Sequence, residues 1–139
     1  MRKLALAAVS VALTVAAGAA LAQSAAPNPA PPASLAGLAV GNTLQVDYPN
    51  VPEHPRVIFR MKSDGTFTSV FPGGVAGSGD YVADARYVCW ITKVPAQTHE
   101  DGANARCEMN SAAGKSVGDT WTMTDSMGDE VSITIKPGQ

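Results

Sequence analysis

Side chains that carry chemistry are scarce in this chain. Its 139 residues include two histidines and two cysteines. A metal centre needs several converging ligands, yet His54 (in Pro-Glu-His-Pro) and His99 (in Thr-His-Glu-Asp-Gly) have only carboxylates adjacent in sequence beside them. Both read as solvated loop residues. Residues 99–104 and 125–130 lack the alternating oxygen spacing of an EF-hand loop, and their Asp and Gly are turn chemistry. The glycine-rich run at 73–79 leads into a strand and not a helix N-terminus, which removes it as a phosphate loop. No G-x-S-x-G elbow occurs. Asp80 and Asp84 fall on an outward face or in a turn, so they do not form the facing carboxylate pair of a glycosidase. The expectation is a protein with no metal, no cofactor and no catalytic constellation.

Long apolar runs are missing after residue 22. The one run before it, residues 4–21, follows the basic start Met1-Arg2-Lys3 and ends in Ala20-Leu21-Ala22, an A-x-A cleavage site. This pattern predicts a secretory signal peptide over 1–22, and a periplasmic or secreted protein with no transmembrane segment in its mature chain. No Cys follows the site, so a lipoprotein anchor is not indicated. Of the 10 basic residues, Arg2 and Lys3 leave with the signal, so 8 remain against 12 acidic ones, a net of 8 − 12 = −4. That balance offers no basic patch to nucleic acid or an anionic membrane.

Two cysteines in an exported chain are most simply one disulfide, Cys89–Cys107. Residues 23–33 are Ala, Pro and uncharged polar residues and cannot build a core. With the apolar 34–40, readable as one helical turn or an irregular strap, they form a tether over 23–40 ahead of a single domain at 41–137.

From Gly41 onward turn signals recur every eight to twelve residues. Alternating runs at 43–48, 57–62, 66–71, 79–83, 86–92, 105–109, 119–124 and 130–136 read as strands. Asp64-Gly65 is a hairpin signal, Ala83-Asp84-Ala85 is read as the next turn, and 125–129 joins the last two strands. About eight short strands with hairpin-length connections predict an all-β, antiparallel up-and-down barrel, with a two-sheet sandwich as the alternative. Closure is favoured because it removes both sheet edges.

Residues two apart share a sheet face. One apolar interior can therefore be drawn through Val57, Phe59, Met61, Phe67, Phe71, Tyr81, Ala83, Tyr87, Cys89, Ile91, Cys107, Met109, Trp121, Met123, Val131, Ile133 and Ile135. On this assignment both cysteines point inward from neighbouring strands. The opposite positions include Ile58, Val70, Val82, Val88 and Trp90, an apolar stripe on the wet side. Either 34–40 lies across this stripe or it is a partner surface anchored by Trp90. A second candidate is a small apolar ligand inside the barrel, beside Trp121, Tyr81 and Tyr87.

The run Gly79-Asp-Tyr81-Val-Ala-Asp-Ala-Arg-Tyr-Val-Cys89-Trp90, then Cys107, then Val117-Gly118-Asp-Thr-Trp121, resembles a group of small exported proteobacterial proteins. The resemblance covers most of 41–137 and implies a calycin-like β-barrel without an assigned activity. The arrangement is also loosely similar to periplasmic protease and lysozyme inhibitors, although no inhibitory segment matches. These readings lead to a non-catalytic binding or interaction module, with a carrier of a small apolar ligand or an inhibitor-like protein as alternatives.

Overall fold

A computed structural model describes residues 33–53, 55–96 and 105–139. The predicted signal peptide, most of the predicted tether, His54 and the residues around His99 lie outside the described residues. A five-residue helix, α1 (Leu35–Ala39), precedes eight strands: β1 (Thr43–Asp47), β2 (Arg56–Met61), β3 (Thr66–Val70), β4 (Ala76–Ala83), β5 (Tyr87–Val94), β6 (Arg106–Met109), β7 (Thr120–Thr124) and β8 (Glu130–Lys136). They form one sheet in the order β6-β5-β4-β3-β2-β1-β8-β7, and every pairing is antiparallel. The sheet curls into a half-barrel, so the all-β, up-and-down expectation holds. Among the described residues β6 and β7 are its two edges and do not pair with each other.

Local chemistry accounts for the hairpins. At Asp64-Gly65 the Lys62 amide donates to the Thr66 carbonyl at 2.9 Å, and Gly65 takes φ +83°. The Asp64 carboxylate accepts from the amide and hydroxyl of Thr66, which closes the turn from outside. Between β7 and β8 the same device recurs, with Asp125 Oδ1 accepting from the Met127 and Asp129 amides. The 73–79 glycines divide into two uses. Gly77 and Gly79 belong to β4, not to a loose connection. A Cβ on Gly79 would stand 2.1 Å from the Ile91 carbonyl oxygen and 2.9 Å from the Phe67 ring. The missing side chain is what lets β5 and Phe67 close on β4.

The core is Leu44, Val46, Met61, Phe67, Val88, Val131, Ile133 and Ile135 together with Leu35, Ala36 and Ala39 of the helix. α1 thus enters the interior and does not cross the outer stripe. Ser34 caps it, its hydroxyl accepting from the Gly37 amide at 3.0 Å. Asn110 then anchors it: the Leu35 amide donates to the Asn110 carbonyl at 2.8 Å and the Ala36 amide to Asn110 Oδ1 at 2.9 Å. Ala112 reaches back to the Ala33 carbonyl at 2.9 Å. Residues 33–40 therefore pack with the sheet. The Gln139 side chain donates to the Met61 carbonyl at 2.7 Å.

The expected faces hold on β2, β3, β7 and β8 and reverse on β5 and β6. Val88 is 0% exposed, whereas Tyr87 is 47% and Met109 51% exposed. The cause is the length of one turn. A three-residue turn at 83–85 would set odd residues of β5 opposite odd residues of β4. In the fold the Asp84 amide donates to the Tyr87 carbonyl at 2.9 Å, so the loop is Ala85-Arg86, and Ala83 pairs Val88 and Tyr81 pairs Trp90. A one-residue change of register moves a whole strand's side chains to the other face. β6 follows, because Cys89 pairs Cys107 and Trp90 pairs Arg106.

Candidate ligand cavity on the concave face

Inverting β5 places Trp90 inside. Its ring lies 4.6 Å from Phe59 and 5.4 Å, edge-on, from Phe67, with Tyr81 at 6.3 Å. Phe59 and Phe67 meet edge-on at 5.6 Å, so the four rings form one cluster on the inner sheet face. Such offset and edge contacts add about 0.5–1.5 kcal/mol per pair beyond the burial of area. The Tyr81 hydroxyl leaves the cluster to donate to the Lys62 carbonyl at 2.6 Å. The predicted outward anchor therefore packs, half-buried, against the core, and Val88 beside it is fully buried. Of the predicted stripe, Ile58 and Val70 pair on the outer face and are half-buried. Val82 is 60% exposed. The five residues do not form one surface.

The cysteines join as a disulfide across β5 and β6, but on the convex side. Cys89 sits opposite Val82 on one side and Cys107 on the other, and Tyr87 pairs Met109 in the neighbouring row. What the outer face presents is thus Val82, Tyr87 and Met109 around an exposed bridge. The bridge staples a four-residue edge strand to the sheet.

On the concave side the half-barrel holds a cavity of about 190 Å³. Its walls are Leu44, Val46, Val57, Met123, Val131 and Ile133, with the rings of Tyr48, Phe59, Phe71 and Trp90. Leu35 of α1 also lines it. Trp121, Tyr81 and Tyr87, expected to flank such a cavity, do not line it. Trp121 instead lies under the Lys115 ammonium, 5.9 Å from the ring centre, and Tyr87 is on the opposite face.

The polar wall comes from β6 and the β7–β8 turn: Arg106, Glu108, Asp125 and Ser126. With Cys107 and Met109 expected inward, Glu108 would face water, as charged residues on an alternating strand normally do. The register inversion turns Glu108 and Arg106 inward, where charges on an edge strand also discourage edge-to-edge pairing. Glu108 is half-buried, and both its oxygens are used: the Ser126 amide donates at 2.8 Å and the Ser126 hydroxyl at 2.7 Å. Burial, seconded by the nearby Asp125 charge, raises the Glu108 carboxyl above its ordinary value against the pull of Ser126 and Arg106. Burial, with the charges of Asp125, Glu108 and Asp129, pushes Tyr48 up to about 12, so its hydroxyl stays protonated. Among the described residues, no three His, Cys, Asp or Glu side chains converge as metal ligands. The arrangement can enclose an apolar body and meet its polar end with Glu108, Asp125 and Arg106.

No helix among the described residues is long and apolar enough to cross a membrane. A scan against protein-family models returns no match, and searches of curated proteins and of solved structures return none either.

Proposed function

We propose that this chain is a non-catalytic, exported binding module whose site is the concave interior, and that it takes a small molecule with a mainly apolar body. The observation that carries this reading is the cavity of about 190 Å³ walled by aliphatic and aromatic side chains. An engineered apolar cavity of about 150 Å³ accepts benzene. The space here therefore suits one ring with a short chain, below the usual ~300–1,000 Å³ range of drug-sized sites. Export and a periplasmic or secreted location are part of the proposal. They are supported by the basic, apolar, A-x-A pattern at 1–22 and by a disulfide suited to an oxidising compartment. The curled sheet is compatible with the calycin-like resemblance.

Because Trp90 lines the cavity, its fluorescence reports occupancy. Titration with 2-phenylethanol is expected to change it saturably. Thr92 of β5 also lines the cavity, and Thr92→Phe, which fills the wall beside Trp90, should abolish the change and leave the melting temperature within a few degrees of wild type. A linear response without saturation in the wild type contradicts the reading.

A second reading, an interaction surface for a protein partner, draws on the convex cluster of Val82, Tyr87 and Met109 around the disulfide. Val82→Lys with Met109→Lys would abolish such an interaction and leave ligand binding intact.

A further inference from the structure

We infer that the occupant of the interior is a small organic cation, an ammonium group carried on one aromatic ring or a short alkyl body. This rests on the interior being the binding site, and it concerns which charge that site selects.

The cavity wall carries two carboxylates, Glu108 and Asp125, and one guanidinium, Arg106. A third carboxylate, Asp129, acts on Tyr48 together with these two. Two cations of β2 and β5 lie in ion pairs: Arg56 pairs Asp47, and Lys93 pairs Asp80. Among the described residues, one guanidinium therefore stands with two carboxylates in the wall and a third, Asp129, near Tyr48, a balance that favours a negative local potential. Low-dielectric walls strengthen such a field over its value in water.

The rings point the same way. Tyr48, Phe59, Phe71 and Trp90 all line the cavity, and an aromatic face attracts a cation, Trp most strongly. Tyr48 keeps its proton, so it presents a neutral ring. An ammonium near Glu108 and Asp125 would meet both carboxylate charge and ring faces. A carboxylate ligand would meet repulsion from all but Arg106. A neutral alcohol would lose the charge contribution alone.

Three probes of matched shape separate these cases: 2-phenylethylamine, 2-phenylethanol and phenylacetate, titrated by calorimetry against wild type and Asp125→Asn. Asn keeps the Oδ1 that accepts from the Met127 and Asp129 amides, so the turn is retained, and a melting curve of the variant verifies it. The expected order is amine, then alcohol, then carboxylate. The amine should lead the alcohol by on the order of tenfold in Kd at low salt, and the lead should shrink in Asp125→Asn and in high salt. Equal affinity for amine and alcohol, or tightest binding of phenylacetate, overturns the inference and leaves the interior site standing. If none of the three binds, the interior site itself is overturned.

Discussion

Glu108 on β6 and Ser126 in the β7–β8 turn are joined by two hydrogen bonds, one from the Ser126 amide at 2.8 Å and one from its hydroxyl at 2.7 Å. Among the described residues β6 and β7 are the unpaired edges of the sheet, so a side chain spans the seam that no strand pairing closes. The contact also holds the polar end of the cavity together, because Glu108, Asp125, Ser126 and Met127 all line it.

That contact gives the stability a specific pH dependence. The Glu108 carboxyl is raised by burial and by Asp125 above its ordinary value. A raised acid contributes stability that is present below its unfolded value and lost as pH rises through its folded value. Glu108→Gln mimics the protonated form and should therefore gain on wild type as pH rises from 4 to 7. Melting temperatures of the two proteins across this range should diverge upward for the variant. Parallel curves would mean that Glu108 is solvated.

Asn110 ties α1 to the sheet from a buried position. Its Oδ1 accepts from the Ala36 amide and its Nδ2 donates to the Asp84 carbonyl. Asn110→Ala leaves both backbone groups without that partner, at about 1–3 kcal/mol for each group left buried and unsatisfied. Urea denaturation should show a loss of about 2–4 kcal/mol, the sum of two such penalties at the lower part of that range. Amide exchange should accelerate first in 35–40.

The disulfide closes a loop with a sequence separation of 18, which on chain-entropy grounds is worth about 3 kcal/mol. Its place on the convex face adds a kinetic expectation. Cys107 is exposed, so a phosphine reductant should open the bridge in the folded protein without denaturant. The reduced protein should stay folded and melt lower. Resistance to reduction until the protein unfolds would place the bridge inside.

Trp90 and Trp121 should behave differently on truncation. Trp90 packs against three rings, and Trp90→Ala should cost about 3–5 kcal/mol. Trp121 is half-buried near the β7 edge under Lys115, so Trp121→Ala should cost less. Equal losses in chemical denaturation would contradict the inward placement of Trp90.

The fold class was legible because each turn carries its own chemistry: Asp64-Gly65 and the Asp125–Asp129 turn announce hairpins whatever lies between them. The faces of β2, β3, β7 and β8 were legible because polar residues alternate with apolar ones there. β5 offered no such report. Tyr87-Val-Cys-Trp-Ile91 is apolar throughout, so either parity makes an acceptable interior, and the turn length alone decides. The two-residue loop at Ala85-Arg86 lacks the Asn-Gly or Asp-Gly pair that would mark it. β6 compounded the reversal, since inward Arg106 and Glu108 run against the usual reading of charge. The cavity's polar wall was invisible for the same reason. α1 was missed as a core element because five apolar residues hold too little pattern to choose between a helix and a strap.

Methyl-resolved NMR titration tests most directly whether the concave interior is the binding site. On addition of 2-phenylethylamine, the account predicts saturable shifts of the Val46, Met123, Val131 and Ile133 methyls, with Val82 and Met109 on the convex face unmoved. Saturable shifts confined to Val82 and Met109, or no saturable shift at any methyl, would contradict it.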